Sequence, residues 1–326
     1  MTEASRNTPL LSVIMITYKH EGFIAEAIDG VLMQECDFEV ELIISNDCSP
    51  DKTDKVINDI IANHPRAHWI KYVKHKQNKG VAKNFAWVLQ EGSGKYIALC
   101  EGDDYWTDPL KLQKQVGFLE KHCDFSMACN SSSEIDENGK EYKIANRKEE
   151  IIHLAMVLKE GWFIRTASIV FRKEAIKEGF PDFFFKAYST DYILQVMLLK
   201  TGLCKYFPEV MSAYRHHQGG ISQANNKLQV LRWITKIQLL EVLNDFTERK
   251  FNKEVNHHQR RIARTISFYL YRYPKLVNTI GLKNYFKHGN LALFFQELSK
   301  RLIMRFKNKM TKINCTFCNK MALNCV

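Results

Sequence analysis

A chain of 326 residues that is 45% hydrophobic and 25% charged is long enough for one large α/β domain plus an appendage, and too balanced in composition to be disordered. Its net charge of +11 is unevenly held: residues 1–229 carry 28 Lys and Arg against 31 Asp and Glu, net −3, whereas residues 230–326 carry 19 against 5, net +14, so the two parts face different partners. No stretch reaches the ~18 apolar residues of a spanning helix, Met1–Pro9 lacks a secretory pattern, and nine Cys without framework spacing argue for reduced thiols, so the expected location is cytoplasmic, with at most a peripheral seat on the inner face of a membrane.

Leu11–Thr17 (LSVIMIT) reads as a buried strand that stops at the polar Tyr18-Lys19-His20-Glu21. Helical spacing follows over Phe23–Met33, then a second strand over Val40–Ser45 that ends in Asn46-Asp47. Ser49-Pro50-Asp51 opens a helix with Val56, Ile57, Ile60 and Ile61 on its inner face. Trp69–Val73 predicts a third strand, Val81–Leu89 a third helix, and Lys95–Cys100 a fourth strand running into Glu101-Gly102-Asp103-Asp104. This alternation predicts a doubly wound, mostly parallel sheet, with ligands at the carboxyl ends of its strands, where the polar clusters at 17–21, 46–48 and 101–104 fall. Farther on the pattern loosens. Ser131–Glu150 is polar and reads as a loop or lid, Thr166–Phe171 as a strand, Asp191–Lys200 as a helix capped by Ser189-Thr190, and Tyr206–Tyr214 as a strand region. Helical spacing dominates from Asn226.

Two adjacent carboxylates, Asp103 and Asp104, repel unless a cation holds them, and a divalent ion with oxygen ligands does so while keeping positions open for a diphosphate. A fixed carboxylate such as Asp47 can accept the ring N–H of a pyrimidine, and Tyr18 can pack on a base. Lys83 opens a helix, where its ammonium and the helix N-terminus both favour phosphate. Glu21 lies within reach of a ribose or base. Asp191 suits either a general base or a dipole-stabilised first-turn acid. His217, as a neutral imidazole, is a candidate ligand.

The segment Glu101 to Leu112 (EGDDYWTDPLKL) resembles the metal-binding region of family 2 glycosyltransferases, with Glu101 where an Asp is commoner. Ser12–Tyr18 resembles that family's first strand and nucleotide-binding turn, with Lys19 in place of the usual Asn. Ile43–Ser49 resembles its second-strand motif, with Asn46 replacing the first acid, and Asn78–Asn84 its N-x-G turn. Tyr188–Tyr192 resembles the region of its base, and Tyr214–Ser222 its Tyr-Arg-x-His motif, in which His216 takes the variable position. The resemblance covers Leu10 to about Ser222. It implies a GT-A fold, a Rossmann-like doubly wound sheet over residues 1–225 (nucleotide-sugar half 1–110, acceptor half 111–225), with a basic helical region at 226–326. It implies inverting transfer from a nucleotide sugar, UDP-linked, to a glycan or lipid-linked acceptor in bacterial polysaccharide synthesis, with Mg²⁺ or Mn²⁺ as cofactor. It assigns the metal to Asp104 and His217, the base to Asp191, and donor binding to Thr17, Tyr18, Asp47, Lys83 and Asp103, to which the reach of Glu21 adds a further donor contact. A nucleotidyltransferase would show a Gly-rich basic loop after the first strand, which Thr17–Glu21 is not. A non-catalytic scaffold would need neither paired acids nor an acid at 191.

Asn290–Met310 carries Leu291, Phe294, Phe295, Leu298, Leu302 and Phe306 beside Lys300, Arg301, Arg305, Lys307 and Lys309, a basic amphipathic helix. It suits packing on the catalytic domain, a membrane surface or a second subunit of a homodimer. Nucleic acid is not expected, because no reading module is present. Cys315 and Cys318 have the spacing of a metal half-site, but no second pair completes it.

Overall fold

The computed structural model describes residues 8–220, 226–272 and 299. Strand β1 (Leu11–Thr17) is followed by α1 (Ile24–Leu32), β2 (Val40–Asn46), α2 (Thr53–Asn63), β3 (Ile70–Lys74), α3 (Val81–Glu91) and β4 (Tyr96–Leu99). β1 pairs in parallel with β2 and β4, and β2 with β3. This half is therefore ordered β3-β2-β1-β4, with all four carboxyl ends on one side. Every position of β2 is buried, as expected of a parallel strand covered on both faces. The amphipathic α1 turns Ile24, Ala27, Ile28, Val31 and Leu32 into the same core as Val13, Met15, Leu42 and Ile44.

The second half comprises β5 (Tyr105–Trp106), α4 (Lys111–Lys121), β6 (Phe125–Asp136), β7 (Glu141–Ala145), β8 (Ile151–Ile152), α5 (Leu154–Glu160), β9 (Val170–Arg172), α6 (Thr190–Thr201) and β10 (Leu203–His216). β9 lies antiparallel between β4 and β6, and β6 runs parallel to β10. The sheet thus continues β4-β9-β6-β10-β5, with β7 on β6 and β8 on β10.

The expected lid at Ser131–Glu150 is instead largely sheet, for β6 and β7 pair as a hairpin. The polar run of β6 is buried because side chains satisfy one another. Ser132 and Asn130 both meet Ser212 Oγ, at 2.7 and 3.0 Å, and Ser131 Oγ donates to Ala145 O at 2.9 Å. The reading of Thr166–Phe171 as one strand also narrows, since Thr166–Ser168 is a 3₁₀ turn and only Val170–Arg172 joins the sheet. Ser189 sits at the N-cap of α6 but makes no capping bond; its Oγ donates to Asp191 Oδ1 at 3.0 Å.

Lys111 is fully buried, with its Nζ 4.4 Å from the centre of the Trp106 ring and donating to Gln115 Oε1 at 2.7 Å. Burial lowers its pKa to about 7. Between about pH 7 and the usual lysine value near 10.4, the unfolded chain therefore binds a proton that the folded chain does not, and stability rises with pH across that window. Lys111→Met should be more stable than wild type near pH 7 by about 2–4 kcal/mol, with the gap closing toward pH 10. Urea melts at several pH values would show this, and a gap independent of pH would contradict it.

The chain divides into two compact units, 1–223 and 224–326. In the second, α7 (Asn226–Phe246) and α8 (Asn252–Arg272) pack together. The helix expected at 290–310 and the cysteines at 315, 318 and 325 lie outside the described residues. Among those described, no helix is long and apolar enough to cross a membrane.

Candidate active site

Thr17 closes β1, and the chain reverses through Tyr18–Glu21. Lys19 takes a φ of 61°, a left-handed conformation that a lysine adopts only when its surroundings impose it. The surroundings are the start of α2. Lys19 N–H donates to Ser49 Oγ at 3.1 Å, His20 N–H to Thr53 Oγ1 at 3.0 Å and Glu21 N–H to Asp51 Oδ2 at 3.2 Å, while Glu21 Oε2 accepts the Lys52 N–H at 2.7 Å. Glu21 is thus engaged on backbone. Tyr18 remains 40% exposed, with a ring face at the strand ends.

The acidic segment after β4 meets this turn. Gly102 N–H bonds Ile16 O at 3.0 Å, and a Cβ on Gly102 would stand 2.8 Å from Thr17 Oγ1 and 3.0 Å from His20 Nδ1. Gly102→Ala should displace His20 and cut metal-dependent turnover by about 10²-fold with little change in thermal unfolding. Turnover equal to wild type would show that the two segments tolerate separation.

Beside Gly102, Asp103 Oδ2 lies 3.1 Å from His217 Nε2 and 3.7 Å from His20 Nε2. The His20 ring is oriented by Thr17 Oγ1, 3.2 Å from Nδ1, and His217 packs on Phe23 with ring centres 4.7 Å apart. Ligand atoms of all three lie within 4.8 Å of one another. Burial pushes the Asp103 carboxyl up, but His20 and His217 outweigh it and hold it below the usual range. Burial also lowers the His20 pKa, against the pull of Asp103, which favours the neutral imidazole that binds metals.

Asp104 points elsewhere. It is 2% exposed, its Oδ1 accepts the Arg215 N–H at 2.9 Å, and its Oδ2 is buried without a partner. Burial and then Asp103 raise its pKa well above the usual range. The sequence had put the metal on Asp104 and donor binding on Asp103; in space it is Asp103 that joins His217. Arg215 fastens the region further, donating from Nε to Asp103 O at 3.1 Å and pairing with Glu26, between the rings of Phe23 and Tyr105.

Asp47, 4% exposed, accepts the N–H groups of Lys79 at 2.7 Å and Gly80 at 3.0 Å through its two carboxylate oxygens. It thereby fixes the turn that starts α3, where Gly80 takes a φ of 80°. Each oxygen keeps a further lone pair. Lys83 is exposed in the first turn of α3. Asn84, from the same motif, is structural: its side chain and His75 bond to buried Ser45.

Asp191 stands half-buried in the first turn of α6. The Glu101 carboxyl is pushed well above its usual range by burial, then by Asp103, Asp104 and Asp191, with the neighbouring Thr166 hydroxyl working against the rise. Asp191 is therefore close enough for its charge to be felt at the acidic segment. Sequence reasoning missed His20, although it sits in the first strand-end cluster, and it gave no role to Glu101, Thr166 or Arg215.

The family model for glycosyl transferase family 2 matches residues 12–191, more than half of the chain. The chain belongs to glycosyltransferase family 2. An uncharacterised protein of Mycobacterium tuberculosis is 35% identical to this glycosyltransferase over 214 residues, 65% of this chain and 60% of that protein; the match thus spans less than two thirds of the relative. Among solved structures, TarS of S. aureus in complex with UDP-GlcNAc aligns with a TM-score of 0.55 at 16% identity, covering 89% of this chain and 80% of that one. The mannosyltransferase PcManGT from Pyrobaculum calidifontis, in complex with GDP-Man and Mn²⁺, gives 0.56 at 15% identity over 94% and 83%. Likenesses at this identity establish the fold, which is GT-A.

Proposed function

We propose that this glycosyltransferase moves a sugar from a nucleoside diphosphate sugar, UDP-linked, to a hydroxyl of a glycan or lipid-linked acceptor in polysaccharide synthesis, with inversion and with a divalent cation. The observation that carries this reading is the convergence of His20, Asp103 and His217 at the strand ends, beside the turns that start α2 and α3. Two imidazoles and one carboxylate form a donor set that suits Mn²⁺ better than Mg²⁺, which prefers oxygen throughout. When bound, the cation would neutralise charge on the leaving diphosphate.

The chain's own residues do the rest. Tyr18 offers a ring face to the base, and Asp47 has a lone pair free for a uracil N–H. Lys83 and the N-terminus of α3 favour phosphate. Asp191 takes the proton of the acceptor hydroxyl as that oxygen attacks the anomeric carbon from the face opposite the diphosphate. Thr17 fixes the His20 ring, as metal-ligating histidines require of a neighbouring group.

Calorimetry of the full chain with UDP and GDP, each with Mn²⁺ and with EDTA, tests the donor reading. UDP should bind more tightly by about tenfold or more, the effect of one charge-assisted hydrogen bond of roughly 1.5–3 kcal/mol, and EDTA should weaken both nucleotides by removing the cation from the diphosphate. Equal binding of the two nucleotides would overturn uracil reading, and binding indifferent to EDTA would overturn the cation.

A further inference from the structure

Phe23 stands at the N-cap of α1 and makes no side-chain capping bond there. Helices prefer Ser, Thr, Asp or Asn at that position, because a side-chain oxygen then satisfies one of the first free N–H groups. An apolar ring in that place gives up this stabilisation. Burial does not account for it either. The ring is half-buried and lies outside the core that Ile24, Ala27, Ile28, Val31 and Leu32 of the same helix enter.

The rings and the cation it meets belong to the strand-end site. Its ring centre lies 4.7 Å from that of His217, tilted by 57°, and 6.5 Å from that of His20, tilted by 58°. The Arg215 guanidinium sits 4.9 Å from the centre of the same ring, and Glu26, three residues farther along α1, pairs with that guanidinium. The backbone fixes where the ring starts from: Phe23 N–H donates to His20 O at 2.9 Å, and Phe23 O accepts the Ala27 N–H at 3.2 Å.

The two imidazoles are held differently. His20 Nδ1 meets Thr17 Oγ1 at 3.2 Å, the bond on the far nitrogen that normally sets the ring of a metal-ligating histidine. Among the described residues, the His217 ring hydrogen-bonds through Nε2 alone, to Asp103 Oδ2 at 3.1 Å. Otherwise it packs on Phe23 and, at 87°, on His20 with ring centres 6.0 Å apart. The torsion that turns an imidazole about its Cβ–Cγ bond is soft. A ring with no bond on its second nitrogen is therefore oriented by what packs on it.

We propose that Phe23 is a positioning residue of this site: its ring holds the His217 and His20 imidazoles in the orientation that aims both Nε2 atoms at Asp103 Oδ2. The proposal rests on the reading that these three side chains hold a divalent cation, and its test separates the two. Mn²⁺ affinity of the full chain is measured by calorimetry for wild type, Phe23→Leu, Phe23→Tyr and Phe118→Leu. The last alters a half-buried ring on α4 that packs on His122, Phe125 and Phe207. Phe23→Leu should lose about tenfold in Mn²⁺ affinity, the low end of what residues that orient metal ligands contribute. Phe23→Tyr keeps the ring and should bind like wild type. Phe118→Leu should lower the thermal midpoint and leave Mn²⁺ affinity unchanged, which sets loss of packing apart from loss of position. A second readout needs no metal. In EDTA-treated protein with isotope-labelled histidine, the His217 ring signals, assigned through His217→Gln, should shift and broaden in Phe23→Leu and stay put in Phe118→Leu. Mn²⁺ affinity of Phe23→Leu equal to wild type, an equal loss in Phe23→Tyr or Phe118→Leu, or unmoved His217 signals in Phe23→Leu would overturn the proposal. Failure of wild type to bind Mn²⁺ would instead overturn the cation reading, and the ring signals would then decide the positioning role by themselves.

Discussion

Asp103→Ala should abolish Mn²⁺-dependent nucleotide-sugar turnover, with Mn²⁺ affinity falling by at least about 10²-fold, because even residues that only orient metal ligands are worth 10–100-fold. The Asp103 side chain is 23% exposed, against 2% for Asp104, so thermal unfolding should change less than on loss of Asp104. Asp104→Ala should give the opposite pattern. Losing Oδ1 strands the buried Arg215 N–H, at a cost of roughly 1–3 kcal/mol, and the thermal midpoint should drop while Mn²⁺ affinity changes far less. Manganese titration and melting curves on both variants decide between the two acids. If Asp104→Ala loses the metal and Asp103→Ala keeps it, the arrangement built around His20 and His217 is wrong, and the order of acids in the motif is the better guide.

Asp191→Asn should lower kcat by about 10²–10⁴-fold, the range for a positioned general base, with donor affinity near that of wild type. The substitution is nearly isosteric and keeps an acceptor for the Ser189 hydroxyl, so the start of α6 should persist. Single-turnover rates over a pH series add a second readout: loss of the base should remove the acidic limb of the wild-type profile. A collapse of donor binding with an unchanged turnover rate at saturation would assign Asp191 to the donor site instead.

The parallel half of the sheet was legible in the sequence, because its signals are local. Apolar runs such as LSVIMIT, helical spacing in α1 and polar punctuation at strand ends each report on a few consecutive residues, and together they located the ligand-binding edge. The motifs carried the family in the same way. The sequence could not reveal the buried polar strand β6. Asn130 to Glu134 carries no apolar periodicity, and its partners, Ser212, Lys143, Arg165 and His216, lie nine to 82 residues away, so only folding pairs them. The same holds within the acidic segment. Gly102 and Asp103 form a turn closed by the Asp104 N–H on Glu101 O at 3.1 Å, and nothing local says which of Asp103 and Asp104 turns toward the histidine. That was decided by Gly102 packing against Thr17, which brings His20 to Asp103, and by β10, which delivers His217 to one acid and the Arg215 backbone N–H to the other.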